Sequence, residues 1–360
     1  MSNPRRYSGN NGDRSALSWP PLFCRLMMIA FIAKRLMWAV VTLLLAASIV
    51  FVMFYVIPNG GGTKPRGGVS AVSILMGGRQ ASLSDLRAID RDLGLDRPLW
   101  VQYGMYIARL VHLDLGHDYY ANEPVWALLK PAIPPTLSIA VGASAIWVAA
   151  GVALGVYAGK RRGTFADKAA LGGALVALSM PVFLVSLVGL NLIYTWFNVY
   201  AGNRYVPITT NPIAWLQSMW LPWIALALPL IAVYSRMVRS SVLEVKDQEF
   251  MRTARAKGLS DRQVTRHELR GALTPLVTMY GIDFGLLLGG SVIIEKIFNI
   301  PGLGLMLLQA RSSYDFPVMS GIVVLAAVAV IGANLMVDIA YGVLDPRVRI
   351  ARSSGDAKER

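Results

Sequence analysis

The chain has 360 residues, of which 55% are hydrophobic and only 16% are charged. Soluble domains carry a charge at about one residue in four, so this balance predicts a membrane protein. The formal net charge is +14, but the basic residues are divided among several loops and form no single stripe. This distribution argues against nucleic-acid binding and indicates cytoplasmic loops. Cys24 is the only cysteine, so no disulfide forms within the chain and no metal site is expected.

Six apolar blocks are long enough to cross a bilayer core of about 30 Å, which needs roughly 20 helical residues. They lie near 36–57, 135–158, 169–197, 219–238, 272–294 and 318–343. The predicted fold class is an all-α integral membrane protein with six transmembrane helices and a small helical extracytoplasmic segment between helices 1 and 2. The first block is too long for a signal peptide and no small-residue cleavage site follows it, so we expect it to span the membrane.

These blocks divide the chain into five regions. They are an extension at 1–34, helix 1 at 35–57, an outer segment at 58–134, a core with helices 2–6 at 135–343, and a tail at 344–360.

The distribution of basic residues predicts the orientation of the helices. The stretches 159–168 and 236–270 are rich in lysine and arginine, whereas 198–218 contains only Arg204. Because positively charged loops remain on the cytoplasmic side, both termini and the basic loop at 239–271 are expected inside.

The outer segment begins with a glycine-rich stretch and then favours two helices. In the second, "RPLWVQYGMYIARLVHL", Pro98 suits the first turn, and apolar residues recur at Trp100, Tyr103, Ile107 and Leu110. This pattern predicts a small packed cap outside the membrane.

Two of the predicted spans carry a glycine at every fourth residue. The six positions are Gly151, Gly155, Gly159, Gly281, Gly285 and Gly289. Glycines at this spacing share one helix face and allow close approach of a neighbour, so they predict helix packing.

Asp283 lies near the middle of the fifth predicted span, about 160° from the centre of its glycine face. A charge there is costly against lipid, so its side chain should face a cavity or a partner. Two interpretations remain open: a polar contact in a translocation path, for instance to a substrate ammonium group, or a protonated or hydrogen-bonded residue at a helix contact. Asn334 and Asp338 in the sixth span are weaker candidates for the path.

A basic insert, "RTARAKGLSDRQVTRHELRGALTP", interrupts the apolar blocks at 252–275. Strong helix formers precede Gly258, which suits a helix end, and Ser260 and Gln263 have the spacing of a capping box. The pattern predicts helix, sharp turn and helix on the cytoplasmic side. The first helix either docks into a groove of a partner or lies on lipid headgroups.

Four segments resemble the membrane subunits of ABC importers, and in particular the first membrane subunit of dipeptide and oligopeptide permeases. The insert with its flanks, "EFMRTARAKGLSDRQVTRHELRGALTP", is similar to their cytoplasmic coupling loop. The others are "LGLDRPLWVQYGMYIARLVHLDLGHDY", "IIEKIFNIPGLGLMLLQARSSYDFPVMSG" and "NLMVDIAYGVLDPRVR". The resemblance extends over about 31–349. The Glu-Ala-Ala for which such loops are named reads here as Arg252-Thr253-Ala254.

The resemblance implies a type I ABC importer permease fold in the cytoplasmic membrane of a prokaryote. It implies as partners a second homologous permease subunit, two ATP-binding cassette ATPase subunits and an extracytoplasmic peptide-binding protein, besides the lipid bilayer. ATP and Mg would bind to the ATPase subunits, and we expect no catalytic residue or cofactor in this chain, because "GVYAGK" at 155–160 is one residue short of a phosphate loop. The outer segment at 93–119 would receive the binding protein. The coupling helix would comprise Glu249, Phe250, Arg252, Thr253, Ala254, Arg255, Lys257 and Gly258.

Other functions are considered beside a peptide importer subunit. The same architecture serves nickel complexes, glutathione or haem in related systems. A stand-alone secondary transporter needs ionisable groups in several spans, and only Asp283 lies deep. An intramembrane hydrolase needs a nucleophile with its base, and the three histidines all lie outside the predicted spans.

Overall fold

The computed structural model describes most of the chain from Pro21 to Leu344. The described residues are 21–57, 84, 87, 90–91, 94, 96–118, 123–197, 205–246, 248–258, 260, 263–264, 276–277, 279–287 and 291–344. Within them the regular elements are helices, and the single β-type pairing is an isolated bridge between His117 and Pro124.

Ten α-helices are labelled here in chain order. They are α1 Pro21–Phe51, α2 Leu99–Val111, α3 Val125–Lys160, α4 Phe165–Ser179, α5 Val182–Phe197, α6 Pro212–Lys246, α7 Glu249–Ala256, α8 Val292–Ile297, α9 Leu303–Ser313 and α10 Phe316–Leu344. A π-helical segment, Val52–Val56, continues α1, and residues 279–287 are also helical.

Four helices of the described part are long and apolar enough to cross a membrane. They contain Ile32–Val56, Val125–Lys160, Pro212–Lys246 and Phe316–Val337, and they coincide with the first, second, fourth and sixth predicted spans. The all-helical membrane fold is therefore confirmed. The second span begins ten residues before the predicted position, because α3 runs through Pro131, Pro134 and Pro135.

The third predicted span, 169–197, is wrong as a single helix. The chain bends by 99° between α4 and α5. Met180 leaves the helical conformation with φ −92° and ψ 121°, and Pro181 follows it. The physical reason is local, since proline lacks an N–H donor and disfavours the helical conformation of the residue before it.

The fifth predicted span, 272–294, also needs correction at its end. Residues 276–277 and 279–287 are helical, but Ser291 is the N-cap residue of another short helix, α8, which begins at Val292. The last residues assigned to the span therefore belong to another element. The remaining positions of this prediction lie outside the described residues.

The main core lies between α3 and α6. Trp147 of α3 and Tyr234 of α6 are fully buried there, with ring centroids 6.3 Å apart. Because these two helices provide most of the buried residues of this core, they form the frame on which the candidate sites are arranged.

Candidate coupling surface and intramembrane polar site

The predicted coupling helix, α7, follows the C-terminal end of α6 after a two-residue break. Met251 is its buried residue, and it packs against Val245 at the end of α6 and Val264 beyond the turn. The three side chains form a small apolar cluster of their own, separate from the core between α3 and α6. Among the described side chains, this cluster is what connects α7 to α6.

The end of α7 has the predicted geometry. Gly258 has φ +77°, and the Lys257 N–H donates to the Thr253 carbonyl at 3.0 Å. A β-carbon at Gly258 would meet no atom within 4 Å, so glycine is required there by backbone conformation and not by space. Beyond the turn, the Gln263 side-chain oxygen accepts from both the N–H and the hydroxyl of Ser260, each at 3.0 Å.

The outward side of α7 is open. Glu249, Thr253, Lys257 and Gly258 are exposed. The backbone of Phe250, Arg252, Ala254 and Arg255 lies in α7, whereas their side chains lie outside the described part of the structure. A short helix with a small-residue surface and a few charges has the shape and chemistry of a docking element.

An ion pair connects α4 to α6 near the start of this region. The Arg239 guanidinium donates to both carboxylate oxygens of Asp167, at 2.6 and 2.8 Å. Asp167 also accepts from the Gly163 N–H at 3.0 Å, and its own N–H donates to the Thr164 hydroxyl at 3.4 Å. Sequence analysis overlooked this contact, although Thr164 and Asp167 have the three-residue spacing of a helix cap.

Asp283 lies at a hydrogen-bonded helix contact within the bundle. The hydroxyl of Tyr234 in α6 donates to Asp283 Oδ2 at 2.8 Å. Tyr234 is fully buried, whereas Asp283 is half-buried. The structure therefore provides the partner that an intramembrane carboxylate requires, and it leaves part of the group accessible.

Aromatic rings surround this contact. Trp147 of α3 lies 6.1 Å from Tyr280, and Tyr280 stacks on Phe284 with centroids 5.5 Å apart. The Tyr280 hydroxyl donates to Ser144 of α3 at 3.4 Å. Electron-rich ring faces beside a carboxylate are a chemically suitable environment for a cationic ammonium group.

The glycine faces lie against neighbouring helices. A β-carbon at Gly155 of α3 would lie 2.7 Å from the Ser235 carbonyl oxygen of α6, and Gly151 and Gly159 face Tyr234 and Val242 of the same helix.

The second glycine face meets α10. A β-carbon at Gly281 would lie 2.9 Å from Val337, and one at Gly285 would lie 3.2 Å from Val330 and 3.7 Å from the Asn334 oxygen. Gly289 lies outside the described residues, as does the side chain of Asp338. In the helical stretch 279–287, Gly285 faces α10 while Asp283 faces α6. Asn334 of α10 and Asp283 therefore lie on different sides of that stretch.

Sequence analysis also overlooked Glu295 in α8. This fully buried carboxylate accepts from the Thr136 hydroxyl of α3 at 2.8 Å, from the Ser291 hydroxyl at 2.9 Å and from the Leu305 N–H of α9 at 2.9 Å. Burial raises the pKa of Glu295, and these hydrogen bonds oppose the increase. The contact fastens the α8–α9 hairpin to α3. The sole sequence signal was an acidic residue in an apolar context.

No group of three or more histidine, cysteine or acidic side chains that could hold a metal occurs in the part of the chain that the structure describes. The candidate sites thus consist of a surface helix and a polar contact inside a helical bundle. Together with the apolar spans, they define the class of the protein: a multi-pass helical membrane protein.

The chain belongs to the family described as binding-protein-dependent transport system inner membrane component, whose model matches residues 151–350. A second model, for the N-terminal part of such membrane components, matches residues 28–140. The family that the four sequence segments suggested is therefore confirmed, and the chain is a multi-pass inner-membrane protein.

Several relatives resemble the chain over nearly their whole length. A Brucella melitensis protein named for a peptide transport system permease is 37% identical over 324 residues, covering 90% of this chain and 99% of the relative. A Brucella abortus protein with the same description is 36% identical over 323 residues, with 89% and 99% covered. The dipeptide transport system permease protein DppB of Escherichia coli K12 is 35% identical over 346 residues, with 89% and 99% covered.

Proposed function

We propose that this chain is the membrane-spanning permease subunit of an ATP-driven importer that carries peptides across the inner membrane. The observation that carries the proposal is the nearly full-length similarity to a dipeptide transport permease, at 35% identity. Similarity that includes both the transmembrane core and the outer segment favours a common transport role over a shared fold alone.

Coupling to ATP is assigned to α7. Its exposed residues would rest in a groove of an ATPase subunit, and Met251 would hold the helix on the end of α6. Closure of the two ATPase subunits on ATP would then move α7 and α6 together and change the side to which the pathway opens. The left-handed turn at Gly258 supports this role because it returns the chain sharply from the docking helix.

The complete importer would contain two ATP-binding cassette ATPase subunits, a second homologous permease subunit and an extracytoplasmic peptide-binding protein. ATP and Mg would bind to the ATPase subunits, so this chain would be non-catalytic. Six spans, with both termini and α7 in the cytoplasm and the segment between the first two spans outside, are consistent with the distribution of basic residues.

Within the pathway, Asp283 would contact the ammonium group of a peptide. The hydrogen bond from Tyr234 would hold one carboxylate oxygen in place while the half-exposed group remains available to a ligand. Asn334 remains a candidate on the side that faces α10. Free peptides would then be carried in preference to peptides whose amino group is acetylated.

A deletion strain complemented with the chain tests the cargo. Uptake is measured for dipeptides, longer peptides, a nickel complex, glutathione and haem, and only peptide uptake should depend on the chain. Purification from the same strain should yield ATPase chains with the subunit. Full transport activity of the purified chain without any companion polypeptide would refute the proposal.

A further inference from the structure

Helix α2 has an inverted distribution of polar residues. Its most exposed positions are Trp100, Gly104, Ala108 and Val111, which lie within about 80° of one another around the helix. Not one of them is polar. The polar side chains Gln102 and Arg109 lie on the opposite, packed side. A helix at a protein–water surface has the reverse arrangement.

The packed side of α2 contacts residues that lie within the first and last spans. The Tyr103 hydroxyl lies 2.8 Å from the hydroxyl of Ser48, eight residues before the end of the first span at Val56. The Tyr106 hydroxyl lies 3.4 Å from that of Ser320, four residues after the last span begins at Phe316. At about 1.5 Å per helical residue, these contacts lie roughly 6 to 12 Å inside the ends of the spans. This is about the depth of helices that lie in the membrane interface.

The exposed face of α2 is continuous with a surface that already faces lipid. On α1, the exposed residues Ile49 and Val52 are adjacent to Ser48 on the helix surface. The exposed apolar residues of the first span therefore lie next to the contact between Ser48 and α2. Trp100 and Val111 are 77% and 74% exposed, which is unfavourable in water for side chains of this size.

From this geometry we infer that α2 lies in the plane of the membrane, and that Trp100, Ala108 and Val111 contact phospholipid at the boundary between headgroups and acyl chains. In the proposed orientation this is the outer leaflet. The segment is then not a cap above the membrane. Its contact with a binding protein is restricted to the parts beyond this face, such as the exposed turn at Asp114.

A fluorescent label tests this arrangement in the assembled complex reconstituted in phosphatidylcholine vesicles. Cys24 is first replaced by serine, and Ala108→Cys is labelled with an environment-sensitive dye. We expect blue-shifted emission and strong quenching by brominated phospholipids. The matched control is Asp96→Cys, an exposed position before α2, which should emit at longer wavelength with little quenching.

Each of the other outcomes overturns the inference. Long-wavelength emission at position 108 that lipid does not quench, with rapid labelling by a water-soluble maleimide, would place the face in water. Blue-shifted emission without quenching would mean that protein covers it, and a change on adding the binding protein would identify that partner. Val111→Cys gives an independent measurement on the same face if Ala108→Cys does not assemble. The readout is independent of transport, so it remains informative if the proposed cargo is wrong.

Discussion

The middle of α6 and its C-terminal end are packed in different ways. In its middle, Tyr234, Ser235 and Val238 pack directly on glycines of α3, where an added β-carbon would lie less than 3 Å from its neighbours. At its C-terminal end, Val245 packs in a small cluster with Met251 of α7 and Val264, and Glu249, Thr253 and Lys257 of α7 are exposed. The middle of α6 fits so closely against α3 that an added β-carbon is excluded, whereas the helix that follows its C-terminal end has an exposed side.

This difference suggests how a movement would pass through the molecule. The contact between α3 and α6 is close-packed, so the two helices cannot move independently. A displacement of α7 that moves α6 must therefore move α3 with it. The ion pair between Arg239 and Asp167 extends the same unit to α4. In the proposed coupling, the exposed side of α7 would receive the movement and the close contact between α6 and α3 would transmit it.

The largest effect is expected from breaking the tight contact. Gly155→Leu inserts a side chain where a β-carbon alone would lie 2.7 Å from the Ser235 carbonyl. Overpacking of this kind costs about 1–3 kcal/mol or more. We expect little folded subunit in the membrane, measured by immunoblotting and by thermal melting in detergent.

The matched control is Gly172→Leu, because a β-carbon at Gly172 of α4 would meet no atom within 4 Å. Its yield and melting temperature should remain close to those of the unmodified chain. Equal loss in both variants would mean that glycine content, and not the contact with α6, limits folding.

A substitution at the end of α7 should affect coupling and leave assembly intact. Gly258→Val forces a β-branched residue into a left-handed conformation, at a cost of roughly 1–2 kcal/mol. Peptide uptake and peptide-stimulated ATPase activity of the assembled complex should both fall, while the amount of subunit in the membrane stays unchanged. Gly258→Asn should retain most activity, because asparagine tolerates this conformation. Normal transport by the valine variant would argue against a coupling role for α7.

A smaller effect is expected inside the bundle, next to the tight contact. Asp283→Asn removes the charge and should reduce the preference for free over N-acetylated dipeptides in uptake assays. Tyr234→Phe keeps the ring and removes one hydrogen bond worth about 0.5–1.5 kcal/mol, so KM for free peptides should rise about two- to tenfold. An unchanged preference in Asp283→Asn would eliminate the ammonium contact and leave Asp283 as a helix-packing residue.

The smallest effect is expected at Asp315, which lies just before α10. Burial and the neighbouring carboxyl of Asp118 raise the pKa of Asp315, just before α10, to about 7. Because the folded protein favours the neutral acid, stability from this group is complete at acidic pH and is lost as pH rises towards about 7. The melting temperature of the complex should decrease between about pH 4 and pH 7, and Asp315→Asn should flatten that part of the profile. A variant with the same slope as the unmodified chain would assign the pH dependence to other groups.

Several structural elements could be predicted from local signals in the sequence. The end of α7 near Gly258 and the four continuous spans follow from helix propensity, capping and apolar length, which involve neighbouring residues only. The break at Pro181 carried an equally local signal, but the apolar length of 169–197 outweighed it in the prediction. Family membership also depended on short segments of sequence.

The sequence by itself determined that the chain is a helical membrane protein, because composition and apolar length are properties of the linear chain. It also determined the family, because short segments of sequence carry that resemblance. Only the tertiary structure decided which groups meet. Arg239 reaches Asp167 across 72 residues, Glu295 accepts from Thr136 across 159, and Asp283 obtains its hydrogen bond from Tyr234, 49 residues away. A buried polar group needs a partner, but its identity depends on how helices pack, and local propensity contains no information on that. The depth of α2 was decided in the same way, by two tyrosine hydroxyls that reach serines on different spans.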